Sequence, residues 1–424
     1  MTRKNVFLKL VASSLLICLF TGCASENEVS SNEGESEVIL GKLSSENVTL
    51  ITKVLPLGEV VYAMAADFGD EIDGATLDPS SFEVEVAVGD DIETRTITNV
   101  YTNDQMEISD VGRAGRYVII EMDPIEASAS TLSFNIDSFL NTRNELNYLL
   151  VQKETILTVN GTVFEASEEK IEHTNEVTPI VDEFGKFTYQ DDFGNEMPYR
   201  LFEPQTESDK KYPLVLFLHG SGERGSDNSL QLLGNESALV WATPEQQAKN
   251  PAYVLSPQAP TQEILTTYWA DEPNYSMVEE LLVETIEKYP IDTNRIYVTG
   301  VSNGGVGTWH IAIQNPELFA AIVPVCGYPD VANNEVLEPY VPLEDASLLE
   351  GIKDLPIWVF HAADDELVDV NYSRDAVAAI ESLGGSSIRY TEYPEGEVEP
   401  NGHHAWIPAY QNQEMIDWVF EQSK

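Results

Sequence analysis

Two hydrophobic patterns divide the chain. Between residues 45 and 165 short apolar runs are separated by turn residues: Val48 to Val54, Glu59 to Phe68, Phe82 to Val88, Thr94 to Tyr101, Arg116 to Met122 and Asn147 to Thr158. In Phe82-Glu83-Val84-Glu85-Val86 apolar and acidic residues alternate with a period of two, as in a strand with one buried face. Gly58, Gly69-Asp70, Gly74, Asp78-Pro79, Gly89-Asp90 and Gly112 punctuate the runs, and helical spacing is scarce. This predicts an all-β sandwich of immunoglobulin type, without a Cys…Trp…Cys core.

From residue 180 to 424 strand-like and helix-like segments alternate. Strands are predicted over Leu214 to His219, Tyr253 to Ser256, Ile296 to Thr299, Ala321 to Val325, Ile357 to His361 and Ser387 to Tyr393. Helices are predicted over Met277 to Lys288, Gly305 to Gln314, Tyr372 to Leu383 and Gln413 to Glu421. The unbroken run Leu214-Val215-Leu216-Phe217-Leu218 suits a parallel strand buried on both faces, so this half reads as one α/β domain. A hairpin is expected at its start, Phe187 to Gln190 against Pro198 to Glu203.

The first residues read as an export signal rather than part of the fold. Arg3, Lys4 and Lys9 precede a short apolar stretch, Val11 to Phe20, too short for a comfortable membrane span. Phe20-Thr21-Gly22-Cys23 resembles the lipobox of bacterial lipoproteins, with Phe20 where leucine is usual; the alternative is an ordinary cleaved signal peptide. The resemblance implies a signal peptide over 1–22, a lipid on Cys23 and a protein held on the outer side of the cell membrane. Residues 23–44 are acidic and poor in apolar side chains, and are expected to form a disordered tether. Of three cysteines, Cys18 would leave with the signal, Cys23 would carry lipid, and Cys326 would remain as a buried thiol. The net charge of −49 argues against nucleic acid and against a basic membrane-binding patch.

Candidate chemistry begins at Gly300-Val301-Ser302-Asn303-Gly304, which follows an apolar run and precedes a helix-like one. Strand, Gly-x-Ser-x-Gly and helix is the setting of a nucleophile elbow, in which a serine stands exposed on a tight turn. Such a serine needs a base and an acid to orient that base. Downstream histidines are His310 and His361, which read as packing residues, and His403 and His404 in a loop before the last helix. His403 is the expected base and His404 the alternative. Asp365 is the expected acid, with Asp364 and Glu366 adjacent. Oxyanion donors are expected from the Asn303 N–H and from Ser221 or Gly222, in the loop after the first long strand. The sequence has no His-Glu-x-x-His, no Cys pair and no phosphate-binding loop, so neither metal nor cofactor is expected.

Pro213 to Gly225, the elbow, residues 361–374 and Gly402-His403-His404-Ala405-Trp406 together resemble the secreted α/β-hydrolase esterases. The resemblance is to the group that joins an immunoglobulin-like domain to a feruloyl-esterase/polyhydroxybutyrate-depolymerase-like catalytic domain. It implies cleavage of carboxylic esters, of small molecules or polysaccharide, through an acyl-enzyme on Ser302. It also implies a base directly after the glycine, and puts Trp269 near the pocket; a core position for Trp269 is the other reading. Two other functions fit the same residues: a serine peptidase of this fold, or a surface binding protein with a vestigial triad. The β-domain could be a spacer, a lid over the active site or a polysaccharide binder.

Overall fold

A computed structural model describes residues 39–424 apart from 75–76, 90, 261–268 and 333–338. The expected signal peptide, Cys23 and most of the tether lie outside the described residues. Residues 39–424 form one compact unit. No helix among the described residues is long and apolar enough to cross a membrane.

The first part is all-β, as the turn-punctuated pattern predicts. One sheet runs in the order Asn175–Val177, Val48–Leu55, Gly58–Asp67, Tyr117–Met122, Ile97–Asn103. The other runs Ile171–Glu172, Tyr148–Gln152, Phe82–Val88, Asp91–Arg95. Phe82, Val84 and Val86 point into the core with Leu50, Met64, Ile120 and Leu150, while Glu83 and Glu85 stay at the surface side. The period of two is thus the direct record of one buried face.

This part is longer than the expected 45–165. Ile39–Gly41, expected in the tether, pairs in parallel with Thr162–Phe164, and Leu43 is buried. Asn175–Val177 pairs with Val48–Leu55. Single edge strands with no alternating face leave little trace in a hydrophobicity pattern. A two-stranded hairpin, Leu132–Asn135 with Leu140–Arg143, also had no signal, because most of its residues are exposed or half-exposed. Its base is fastened by Arg143, whose Nε donates to the buried Glu59 carboxylate at 2.6 Å.

The second part is an eight-stranded sheet: β1 (Gly185–Gln190), β2 (Glu196–Phe202), β3 (Tyr212–Leu218), β4 (Tyr253–Pro257), β5 (Ile291–Val301), β6 (Ala321–Val325), β7 (Ile357–Ala362) and β8 (Ile388–Tyr393). The order is β1-β2-β4-β3-β5-β6-β7-β8, with β2 alone running against the other strands. Leu214, Leu216 and Leu218 pack on one face with α1 (Asn274–Lys288), α2 (Asn303–Gln314) and α3 (Asn371–Ser382). Val215 and Phe217 pack on the other with α4 (Gln413–Glu421). Layers on both sides explain why β3 has no polar position at all.

Candidate active site

The parallel strands β3, β5, β6 and β7 end side by side: Leu218 pairs with Gly300, and Val301 with Val325. Loops leaving these carboxyl ends therefore converge, which is where open α/β sheets build sites. Ser302 sits between β5 and α2 with φ 54° and ψ −118°, a left-handed backbone that costs about 1–3 kcal/mol for a residue with a Cβ. The surroundings enforce it. Ser302 N–H donates to Val325 O at 2.9 Å, and its carbonyl accepts from Val306 N–H at 3.0 Å. Gly304 is required because a Cβ there would run into the Leu218 carbonyl, and Gly300 because one would meet Gly304.

Ser302 Oγ lies 3.0 Å from His403 Nε2. On the far side of the ring, His403 Nδ1–H donates to Asp365, 3.0 Å from Oδ1 and 2.9 Å from Oδ2. Asp365 is itself fixed: Oδ1 accepts from the N–H groups of Leu367 and Val368, each at 2.9 Å. Burial alone would raise the Asp365 carboxyl, but His403 and the hydrogen bonds from His361 and His403 outweigh it and hold it far below the usual carboxylate range. An ionised carboxylate selects the tautomer in which Nε2 is free to accept the serine proton. The His403 loop is pinned by Asn401, whose Oδ1 accepts from His403 N–H at 3.1 Å.

Opposite Ser302, the loop after β3 forms a 3-10 turn over Ser221–Glu223. Ser221, Gly222, Ser302 and His403 line one cavity of 480 Å³, a size suited to a small organic ligand. Asn303 is buried at the first position of α2, directly after Ser302. The cavity's other wall comes from the β-domain. Phe134, Ile136 and Phe139 from the hairpin and Leu57 from the Val48–Leu55/Gly58–Asp67 turn line it. Phe134 and Phe139 meet edge to face at 5.7 Å. The hairpin rests directly on the Ser221–Glu223 turn: a Cβ on Gly222 would lie 2.7 Å from Asn141 Nδ2, and Arg224 Nη2 donates to Ser138 O at 3.0 Å.

The profile of the esterase immunoglobulin-like N-terminal domain matches residues 47–165. A solved structure described as a thermostable esterase is 43% identical, with a TM-score of 0.81 over 89% of this chain and 100% of the other. The chain belongs to this family of esterases, α/β-hydrolases with an immunoglobulin-like N-terminal domain. The prolyl oligopeptidase family matches residues 278–340 of the esterase, around the elbow. Two curated relatives are more distant. An uncharacterized secreted protein of Arthroderma benhamiae is 24% identical over 242 residues, 47% of this chain and 23% of that one. An acyl-protein thioesterase 1 homolog of Dictyostelium discoideum is 26% identical over 144 residues, 33% of this chain and 60% of that one. The esterase thus spans less than two thirds of the length of either.

The esterase brings Ser302, His403, Ser221 and Gly222 around one cavity, with Asp365 behind His403, and separates the alternatives. Asp364 turns away, its Oδ2 accepting from Gly396 N–H at 2.9 Å, and Glu366 is exposed. His404 Nδ1 is engaged by Asn401 Oδ1 at 3.0 Å, and its ring packs on Trp406. Burial, then the neighbouring His403, lowers the His404 pKa to about 4. His310 lies in α2 against Tyr275. Trp269 corrects the expectation of a pocket residue. It is 2% exposed, packs beside His219 and Gly307 in the sheet core, and donates from Nε1 to His219 O at 2.9 Å. The bulk of an indole is better buried behind the loop after β3 than left at a polar rim.

One contributor escaped the sequence. His361, a buried residue at the end of β7, bonds Asp365 Oδ2 at 3.2 Å and Val368 O at 2.9 Å through Nε2, and Ser373 Oγ at 2.7 Å through Nδ1. It braces the acid from behind; its position four residues before Asp365 was the available signal. Cys326, Asp365 and His403 offer three ligand atoms within 4.8 Å of one another. Asp365 and His403 are already bonded to each other, and burial pushes the Cys326 thiol up, so the thiolate that a metal needs is disfavoured.

Proposed function

We propose that this esterase cleaves carboxylic esters through an acyl-enzyme on Ser302. The observation that carries the reading is the chain of contacts Ser302 Oγ–His403 Nε2, 3.0 Å, and His403 Nδ1–Asp365, 2.9 Å, at a strained elbow. His403 takes the serine proton as Oγ attacks the ester carbonyl. The proton then passes to the departing alcohol, and water repeats the sequence to release the acid. Asp365 stabilises the imidazolium, and the N–H groups of Asn303 and of Ser221 or Gly222 receive the oxyanion. The apolar wall of Phe134, Ile136, Phe139 and Leu57 supports an ester with an apolar arm, aliphatic or aromatic, over a strongly charged one.

The match of residues 278–340 to the prolyl oligopeptidase family keeps amide cleavage as a second reading. Wild type and Ser302→Ala assayed on an aryl acetate and on a peptide anilide separate the two. Ester turnover that vanishes in Ser302→Ala, with no anilide cleavage, is the expected result. Turnover of neither substrate by wild type would point to a vestigial triad and a binding role, and turnover surviving in Ser302→Ala would mean that another residue is the nucleophile.

The same reading includes export and a lipid on Cys23, supported by the charged, apolar and Phe20-Thr21-Gly22-Cys23 segments and by the secreted Arthroderma relative. Cys23→Ser is expected to move the esterase from the detergent phase to the aqueous phase with catalysis intact. Unchanged detergent partitioning would contradict the anchor.

A further inference from the structure

Glu223 is a carboxyl on the cavity wall that the proposed chemistry does not use. It closes the Ser221–Glu223 turn and is 7% exposed. Its carboxyl fills the room left by two glycines. Oε2 lies 3.3 Å from where a Cβ on Gly220 would stand, and a Cβ on Gly234 would run into Oε1 and Cγ. Donors converge on it. Asn141 Nδ2, from the hairpin of the β-domain, donates to Oε1 at 3.3 Å, and the N–H groups of Gly220 and of Glu223 itself favour the charged form.

The ionisable groups facing it are few. His219 Nδ1 is 4.0 Å from Oε2, but His219 Nε2 accepts from Ala259 N–H at 3.0 Å. The one ring proton is therefore on Nδ1, donated to Gly220 O at 2.7 Å, and burial holds the His219 pKa at about 4, so the ring is neutral. Arg224, next in the turn, supplies positive charge while its Nε donates to Ser221 O at 2.9 Å. The hairpin presents the uncharged Asn141, the segment after Leu230–Leu233 presents Gly234 and Asn235, and His403 stands across the cavity. Burial prevails over these partners and raises the carboxyl to about 7.

We propose that Glu223 is a positioning residue: its ionised carboxylate, gripped by Asn141 of the β-domain and by the turn's own N–H groups, holds Ser221 and Gly222 where they receive the oxyanion. The proposal rests on the Ser302 reading above. Protonation replaces an accepting lone pair with an O–H among groups that are all donors, so the grip is lost. Full turnover then needs two groups deprotonated on the acid side, His403 and Glu223, the second worth about tenfold.

The test is kcat on a soluble aryl acetate between about pH 5 and 9, with active sites counted by fluorophosphonate titration. In the full-length wild type, log kcat is expected to fall on the acid side with a slope steeper than one, by about an extra tenfold in all, as Glu223 takes up its proton. In Glu223→Gln, whose amide does not titrate but whose oxygen still accepts from Asn141, the slope is expected to be one. Glu223→Ala, and Gly234→Ala, which displaces the carboxyl without altering it, are expected to lower kcat by about tenfold with KM little changed, the signature of a lost transition-state contact. A wild-type slope of one, or a Glu223→Ala enzyme as fast as wild type, overturns the proposal. Ser302→Ala measured alongside keeps the two readings apart. Activity surviving there overturns the Ser302 chemistry and this role with it. An inert Ser302→Ala beside Glu223 variants that track wild type overturns the role of Glu223 alone.

Discussion

The two sides of the cavity are built on different principles. The catalytic-domain side is polar and shaped by backbone constraint: a left-handed serine, glycines that admit no Cβ, and a carboxylate held by two N–H groups. The β-domain side is apolar and shaped by packing across a domain boundary, with Phe134, Ile136 and Leu57 all more than half exposed around the mouth. Constraint of the first kind sets what bond is broken, because angstrom-scale geometry decides proton transfer. Exposed apolar surface of the second kind sets which molecule is held, because hydrophobic contact tolerates variation in shape.

The sharpest way to break this division is to disarm the polar side. Ser302→Ala, His403→Ala and Asp365→Ala are each expected to lower kcat by about 10⁴–10⁶, without adding, because the three act as a unit. If His404→Ala abolished turnover and His403→Ala did not, the base would be misassigned. Disarming the apolar side is expected to do less and to act on choice. Phe134→Ala combined with Ile136→Ala should reduce the preference for an octanoyl over an acetyl aryl ester by about tenfold to a hundredfold in kcat/KM, from ~1–3 kcal/mol of lost apolar contact. An equal loss on both esters would mean that the hairpin serves the chemistry and not the selection.

The smallest effect concerns pH and stability. His219 and His404 have folded-state pKa values of about 4, lowered by burial from an ordinary 6.5. The folded form binds fewer protons than the unfolded chain between these values, so their contribution is present above about 6.5 and lost as pH falls toward 4. Glu223, raised from 4.5 to about 7, has the opposite sign: its contribution is present below about 4.5 and lost as pH rises through 7. With two groups against one, Tm is expected to fall on acidification from about pH 6.5 to 4. The fall should be shallower in His404→Gln and steeper in Glu223→Gln, as calorimetry across that range would check. A fall that neither variant changes would remove both groups from the account.

The same division explains what the sequence disclosed. The run Leu214 to Leu218 is apolar throughout because both of its faces are covered, and Gly300-Val301-Ser302-Asn303-Gly304 is legible because the turn excludes every side chain but one. Local sterics leave local marks. The hairpin Leu132–Arg143 had none, since its place depends on Arg143 reaching Glu59 and Asn141 reaching Glu223, 84 and 82 residues away along the chain. Trp269 was misplaced for a related reason: whether an aromatic near a loop faces a pocket or the core depends on elements that pack over it. His361 read as a core residue and is one, yet it also braces Asp365, a second role visible only once Val368 and Ser373 are seen around it.

The central claim is that Ser302 is the nucleophile and His403 its base. A fluorophosphonate reagent applied to the wild-type esterase, followed by mass spectrometry of its peptides, tests this most directly. One adduct per chain, on Ser302, is expected, absent in Ser302→Ala and slowed by orders of magnitude in His403→Ala. An adduct on another residue, or labelling of wild type and Ser302→Ala at the same rate, would contradict it.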